Sequence, residues 1–260
     1  METITADLRQ PLCELLLSIA DDKFLLGHRN ADWTGLAPIL EEDIAFSSMA
    51  QDEISHAGAL FQFIAGVRGD TTADRLAFGR SPADYRCAAI VEVGDDFDWA
   101  VAIVRQFFCD HFDNLRLARL AASNHRPLAA LAARLRAEEA MHVTHADSWI
   151  RRLGRGGQDA RERMQAAFDK LAPLATSLLE PTDGVTALEA AGLYPKAAGD
   201  MFAYWAGNLS GVVADAHLRL ELTPPPAEYV GGRRGRHTAE FAAVLAELTE
   251  VSAVEPEASW

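Results

Sequence analysis

Apolar positions recur along this chain at steps of three and four, the period of a helix with one face turned inward. The first such stripe runs Leu8, Leu12, Leu15, Ile19, then Asp22, then Leu26. Pro11 lies early in it, as helix starts allow. Residues 27–36 read as a connection, and Pro38 opens a long second helix over 39–66 with Ile44, Met49 and Phe61 on its apolar face. Residues 70–86, broken by Pro82, read as a loop with short helical pieces at most. A third helix follows over 98–122, with Ala102, Val104, Phe107, Phe108, Phe112 and Leu115 in its stripe. A fourth spans 128–153 and ends in the glycine-rich turn of 154–157. Further helical stretches cover 161–179, 188–195, 197–220 and 238–251, and Thr223-Pro224-Pro225-Pro226 is a rigid connector. No convincing period-two strand pattern interrupts them, so an all-α chain is expected. With no composition shift between the halves, a single domain over 1–260 is expected, its bundle core over 8–153 and extra helices over 158–254.

Polar residues that break these apolar faces carry the candidate chemistry. Glu53 and His56 stand three apart on the second helix, and Glu139 and His142 repeat the pair on the fourth. That spacing puts both side chains on one helix face. Two Glu-x-x-His pairs plus one carboxylate from each of two more helices form the ligand set of carboxylate-bridged di-iron bundles. Carboxylates bridge two hard ions, and one imidazole completes each. Asp22 and Asp110 are the candidate single carboxylates. Asp110 precedes Glu139 by 29 positions and Asp22 precedes Glu53 by 31, offsets that paired helices would produce. Asp21 rivals Asp22, and Asp113 rivals Asp110. Lys23 precedes Glu53 by 30; if it points inward instead, an ammonium stands where a metal needs an acid. Small residues Ala57, Gly58 and Ala59 are expected to admit a neighbouring helix.

Charge narrows the partners. A net charge of −14 argues against nucleic acid and anionic membrane. No apolar run reaches the roughly 18 residues of a membrane span. Cys13, Cys87 and Cys109 show no metal-type spacing, and an odd, unframed set suggests a reducing, cytoplasmic setting. The densest basic stretch in this acidic chain holds Arg233, Arg234 and Arg236 among Gly231, Gly232 and Gly235. It suits a phosphate-bearing ligand or an acidic partner surface, or a loop packed on its own subunit. No Gly-x-Ser-x-Gly elbow or Walker ending is present.

Four stretches carry a resemblance over nearly the whole chain: Trp-Thr-Gly-Leu-Ala-Pro-Ile-Leu-Glu-Glu over 33–42, Arg105-Gln106-Phe107-Phe108, Trp-Ile-Arg-Arg-Leu-Gly over 149–154, and Gly231-Gly232-Arg233-Arg234-Gly235 with His237-Thr238. The chain resembles the C-subunit family of the multicomponent bacterial phenylacetyl-CoA epoxidases. The resemblance implies a ferritin-like four-helix bundle core with added C-terminal helices. It implies a related catalytic A-type subunit, small accessory subunits and a flavin and iron–sulfur reductase as partners, in a complex that epoxidises the ring of phenylacetyl-CoA with O2. A homodimer is a further expectation. The C-type subunit of that family is regarded as structural, with an incomplete ligand set. Here Gln51-Asp52-Glu53-x-x-His56 reads like a metal-bearing subunit, and Lys23 like a lost ligand. Two iron ions, held by Asp22, Glu53, His56, Asp110, Glu139 and His142, are the expected cofactor if the site is occupied.

Overall fold

The computed structural model describes residues 4–94 and 96–255. Every regular element among them is helical: α1 (Ala6–Ala31), α2 (Leu40–Arg68), α3 (Ala73–Phe78), α4 (Ala89–Glu92), α5 (Trp99–Ala121), α6 (Arg126–Gly154), α7 (Gln158–Ala175), α8 (Val185–Ala190), α9 (Met201–Asp215) and α10 (Phe241–Val254). Single 3₁₀ turns fall at Pro82–Asp84, Thr176–Leu179 and Gly232–Arg234. The all-α expectation therefore holds among the described residues. The chain divides into two compact units. The first takes Met1–Gly94, Glu180–Leu188 and Val230–Trp260, and the second takes Asp95–Leu179 and Glu189–Tyr229. The bundle core expected over 8–153 is thus shared between them.

In the first unit α1 and α2 pack along their lengths, and a connection of a few residues makes them antiparallel. α3 lies on α2, α4 on α1 and α10 on α3. The sequence places a break at Gly27, but α1 continues to Ala31. Gly27 is instead the point where the two helices touch. A Cβ there would stand 2.9 Å from Cγ1 of Ile54 and 3.1 Å from the Ala50 carbonyl. Gly58, one of the small residues expected to admit a neighbour, has open space around it. α1 is also buried on all sides through its middle: from Leu15 to Gly27 no residue reaches the surface. Edge-on rings of Phe24, Phe61 and Phe78 pack this interior, with centroids 5.8 and 5.4 Å apart.

The second unit is built on α5 and α6, with α7 and α9 against both. α5 begins at Asp98, whose carboxylate accepts from the Ala100 N–H, and α6 at His125, whose ring nitrogen accepts from the Leu128 N–H. Phe107 and Phe108 meet Phe168 of α7 edge-on, and Phe108 and Phe112 reach Trp205 of α9. The buried Trp205 indole donates to the Phe108 carbonyl at 3.3 Å, which satisfies its one polar atom.

Candidate metal centre

α5 and α6 carry three of the predicted ligands, and the second unit brings them together. Ligand atoms of Asp110, Glu139 and His142 lie within 4.8 Å of one another. All three side chains are buried. Nδ1 of His142 is 3.8 Å from Oε2 of Glu139, the proximity that the three-residue spacing predicts. The amide of Gln106, one turn before Asp110, donates to its Oδ1 at 2.5 Å. Asp113, the rival one turn later, is buried too but paired with Arg116 at 2.6 Å. Two carboxylates and an imidazole at this spacing match the donor chemistry of one divalent transition ion.

The first unit uses its residues differently. Glu53 and His56 are buried on α2, as predicted. Lys23 donates to Oε2 of Glu53 at 2.9 Å, and neither side chain is exposed at all. Asp22 is not turned to a metal. Both its oxygens accept from the guanidinium of Arg233, at 2.8 and 2.7 Å, and Oδ1 also accepts from the Ala88 N–H. Asp21 is held the same way by Arg80, with the Arg86 N–H as a third donor. Three successive charges of α1 thus each have a separate counter-charge, buried for Asp22 and Lys23 and part-buried for Asp21. A carboxylate oxygen that accepts from an ammonium, and another carboxylate covered by a guanidinium, do not fit the acid half of a dinuclear iron site.

The same contacts reach into the basic loop. Arg233 is buried, and beyond Asp22 its guanidinium donates to the carbonyls of Ser18 and Arg86, so it does not face an outside anion. Arg234 reaches Glu180 at 3.2 Å and Asp183 at 3.0 Å. Arg236 is exposed. The loop's backbone is anchored as well: Glu180 accepts from the N–H groups of Gly231 and Arg233. Gly235, at φ +72°, takes a left-handed conformation and leaves no room for a side chain against Ala83. Two glycines and two arginines here serve the chain's own packing. Sequence reasoning had no signal for Arg80 or Glu180 as partners, because each lies far along the chain from the group it serves.

A family model described as "Phenylacetic acid catabolic protein" matches residues 1–260. The chain belongs to that family. It is a family of ferritin-like, di-iron type. The C component of the 1,2-phenylacetyl-CoA epoxidase of Escherichia coli (strain K12) is 28% identical over 247 residues, which cover 94% of this chain and 97% of that protein. No helix among the described residues is long and apolar enough to cross a membrane.

Proposed function

We propose that this chain is the C-type subunit of a phenylacetyl-CoA epoxidase and that it supports the reaction without activating oxygen itself. Family membership and the name of the Escherichia coli relative support the first part. The second part rests on one observation: the Lys23 ammonium, fully buried, sits on Glu53. A buried ammonium beside a carboxylate supplies a fixed positive charge where a metal ion would otherwise supply it. Asp22, tied to Arg233, offers no substitute ligand. The two acids and the imidazole of the second unit then remain as a buried polar cluster, and the two-iron cofactor belongs to a related catalytic protein.

The partners follow from the same reading. A catalytic A-type subunit, small accessory subunits and a reductase assemble with this chain, and the complex takes phenylacetyl-CoA, O2 and reducing equivalents. Iron counted per protomer on the isolated chain, after anaerobic reconstitution, tests the cofactor claim. Fewer than two irons per chain are expected; two would sink it. Co-expression with the catalytic partner tests the rest. The two should co-purify, and the double variant Glu139→Gln, His142→Gln should assemble with unchanged turnover per catalytic partner. Turnover lost from a complex of normal composition would return the chemistry to this chain.

A further inference from the structure

A second cluster of ligand-type side chains lies wholly inside the first unit. Cys87 precedes α4, Glu92 ends α4, and His237 comes from the segment before α10. Cys87 and Glu92 have no exposed surface, and the His237 side chain is 8% exposed. The Cys87 Sγ is 3.4 Å from Oε1 of Glu92 and 3.7 Å from Nδ1 of His237, and that oxygen and nitrogen are 2.7 Å apart. A point equidistant from the three atoms lies about 1.9 Å from each, close to the ~2.0–2.3 Å of zinc–oxygen, zinc–nitrogen and zinc–sulfur bonds.

The three donors converge on that one point. Cys87 and Glu92 both face the same ring nitrogen of His237, so the imidazole cannot relay a proton between them as it does in a nucleophile–base–acid triad, which uses both nitrogens. The cluster is also held stiffly. Oε2 of Glu92 accepts from the Thr238 N–H at 2.6 Å. The imidazole stacks on Phe241 with centroids 3.9 Å apart and planes 19° from parallel. Gly232 packs against the Cys87 carbonyl with no space for a Cβ.

We propose that Cys87, Glu92 and His237 bind a zinc-like divalent ion, which clasps the segment before α4 to the segment before α10. A thiolate with an imidazole selects such an ion over magnesium or calcium. One thiolate, one carboxylate and one neutral imidazole around a dication sum to zero charge, which suits a buried position. The clasp bears on the rest of the unit through the neighbouring loop. His237 follows Arg233 by four residues, so the ion fixes the loop that seats Arg233 on Asp22. A free thiol is ordinarily protonated at neutral pH, so binding the ion as a thiolate expels its proton. This inference does not depend on the part the chain plays in an epoxidase.

The test uses the full chain, stripped with a chelator and titrated with Co2+ and then Zn2+. Wild type should take up Co2+ with a thiolate-to-cobalt charge-transfer band that zinc abolishes, and zinc binding should release a proton at neutral pH. Cys87→Ser should lose the band, and Cys87→Ser and His237→Gln should each weaken zinc binding by more than the ~10–100-fold that loss of a mere supporting partner costs. Cys109→Ala, which removes a buried cysteine elsewhere, should keep both the band and the affinity. Wild type without the thiolate–cobalt band overturns the proposal, a result that needs no variant to fold. So does a band that survives Cys87→Ser or disappears with Cys109→Ala.

Discussion

Lys23 is the residue whose removal says most about the interior of the first unit. Its ammonium lies 2.9 Å from Glu53 and is fully buried, as is the carboxylate. Two unit charges about 4 Å apart attract by ~4 kcal/mol at the effective dielectric typical of proteins. Most of that offsets the cost of taking both ions out of water, so the pair adds little net stability. Removing one partner is another matter, because the remaining charge keeps its desolvation cost and loses that counter-charge. Lys23→Met preserves the stem and deletes the charge. It should lower stability by ~3–5 kcal/mol at neutral pH, out of the ~5–15 kcal/mol that a folded domain has. Lys23→Met with Glu53→Gln removes both charges and should recover at least ~1–2 kcal/mol of that loss, a coupling well above the error of a double-mutant cycle. Equilibrium unfolding in urea, followed by circular dichroism, measures the single variants and the double one. Arg163→Ala is the control. Its partner Asp159 is 85% exposed and it is itself 66% exposed, so the loss there should not exceed ~0.5 kcal/mol. A Lys23→Met loss under ~1 kcal/mol, or a double variant as unstable as the two single losses added together, would refute the buried-pair reasoning and with it the case against a metal at Glu53.

Gly27→Ala should destabilise by ~1–3 kcal/mol, since its Cβ would meet Ile54, Glu53 and the Ala50 carbonyl at 2.9–3.1 Å. Gly58→Ala, in the same helix pair but in open space, should be neutral or stabilise by up to ~1 kcal/mol; thermal melts that reverse this order would remove Gly27 as the point of helix contact. Cys13 supplies a pH test. Burial, chiefly, pushes its thiol up from 9.0 to about 11. A folded-state value raised above the unfolded one gives stability that is complete below pH ~9 and is lost as pH rises through ~11. Wild type should therefore lose about 2 kcal/mol more than Cys13→Ala between pH 8 and pH 11 in urea unfolding, and parallel losses in the two proteins would count against it.

The long helices were legible in the sequence almost to their ends, because each carries apolar residues at steps of three and four. α5 and α6 begin and stop within a few residues of where the apolar stripes do, and there the polar breaks in the stripe also located the chemistry: Asp110, Glu139 and His142 are buried, and they meet. α1, like α5 over Ala100–Asp113, is buried on every side through its middle, and it shows the limit of periodicity. A stripe asks which one of Asp21, Asp22 and Lys23 points inward. In a helix buried on every side the question has no single answer, since all three do. What separates them is the counter-charge each finds, and those come from Arg80, Arg233 and Glu53, at 59, 211 and 30 positions along the chain. No local pattern encodes pairings at such range. The acidic run that read as a choice of metal ligand is a set of three tethers, each fixing a different segment to the same helix. That also accounts for Arg233 of the basic loop, which looks outward in composition but is required inside to neutralise the Asp22 that α1 buries. A helix that buries two acids and an ammonium within three residues holds its place only while all three partners stay, so the unit built on α1 is expected to be more sensitive to single charge changes than the unit built on α5 and α6.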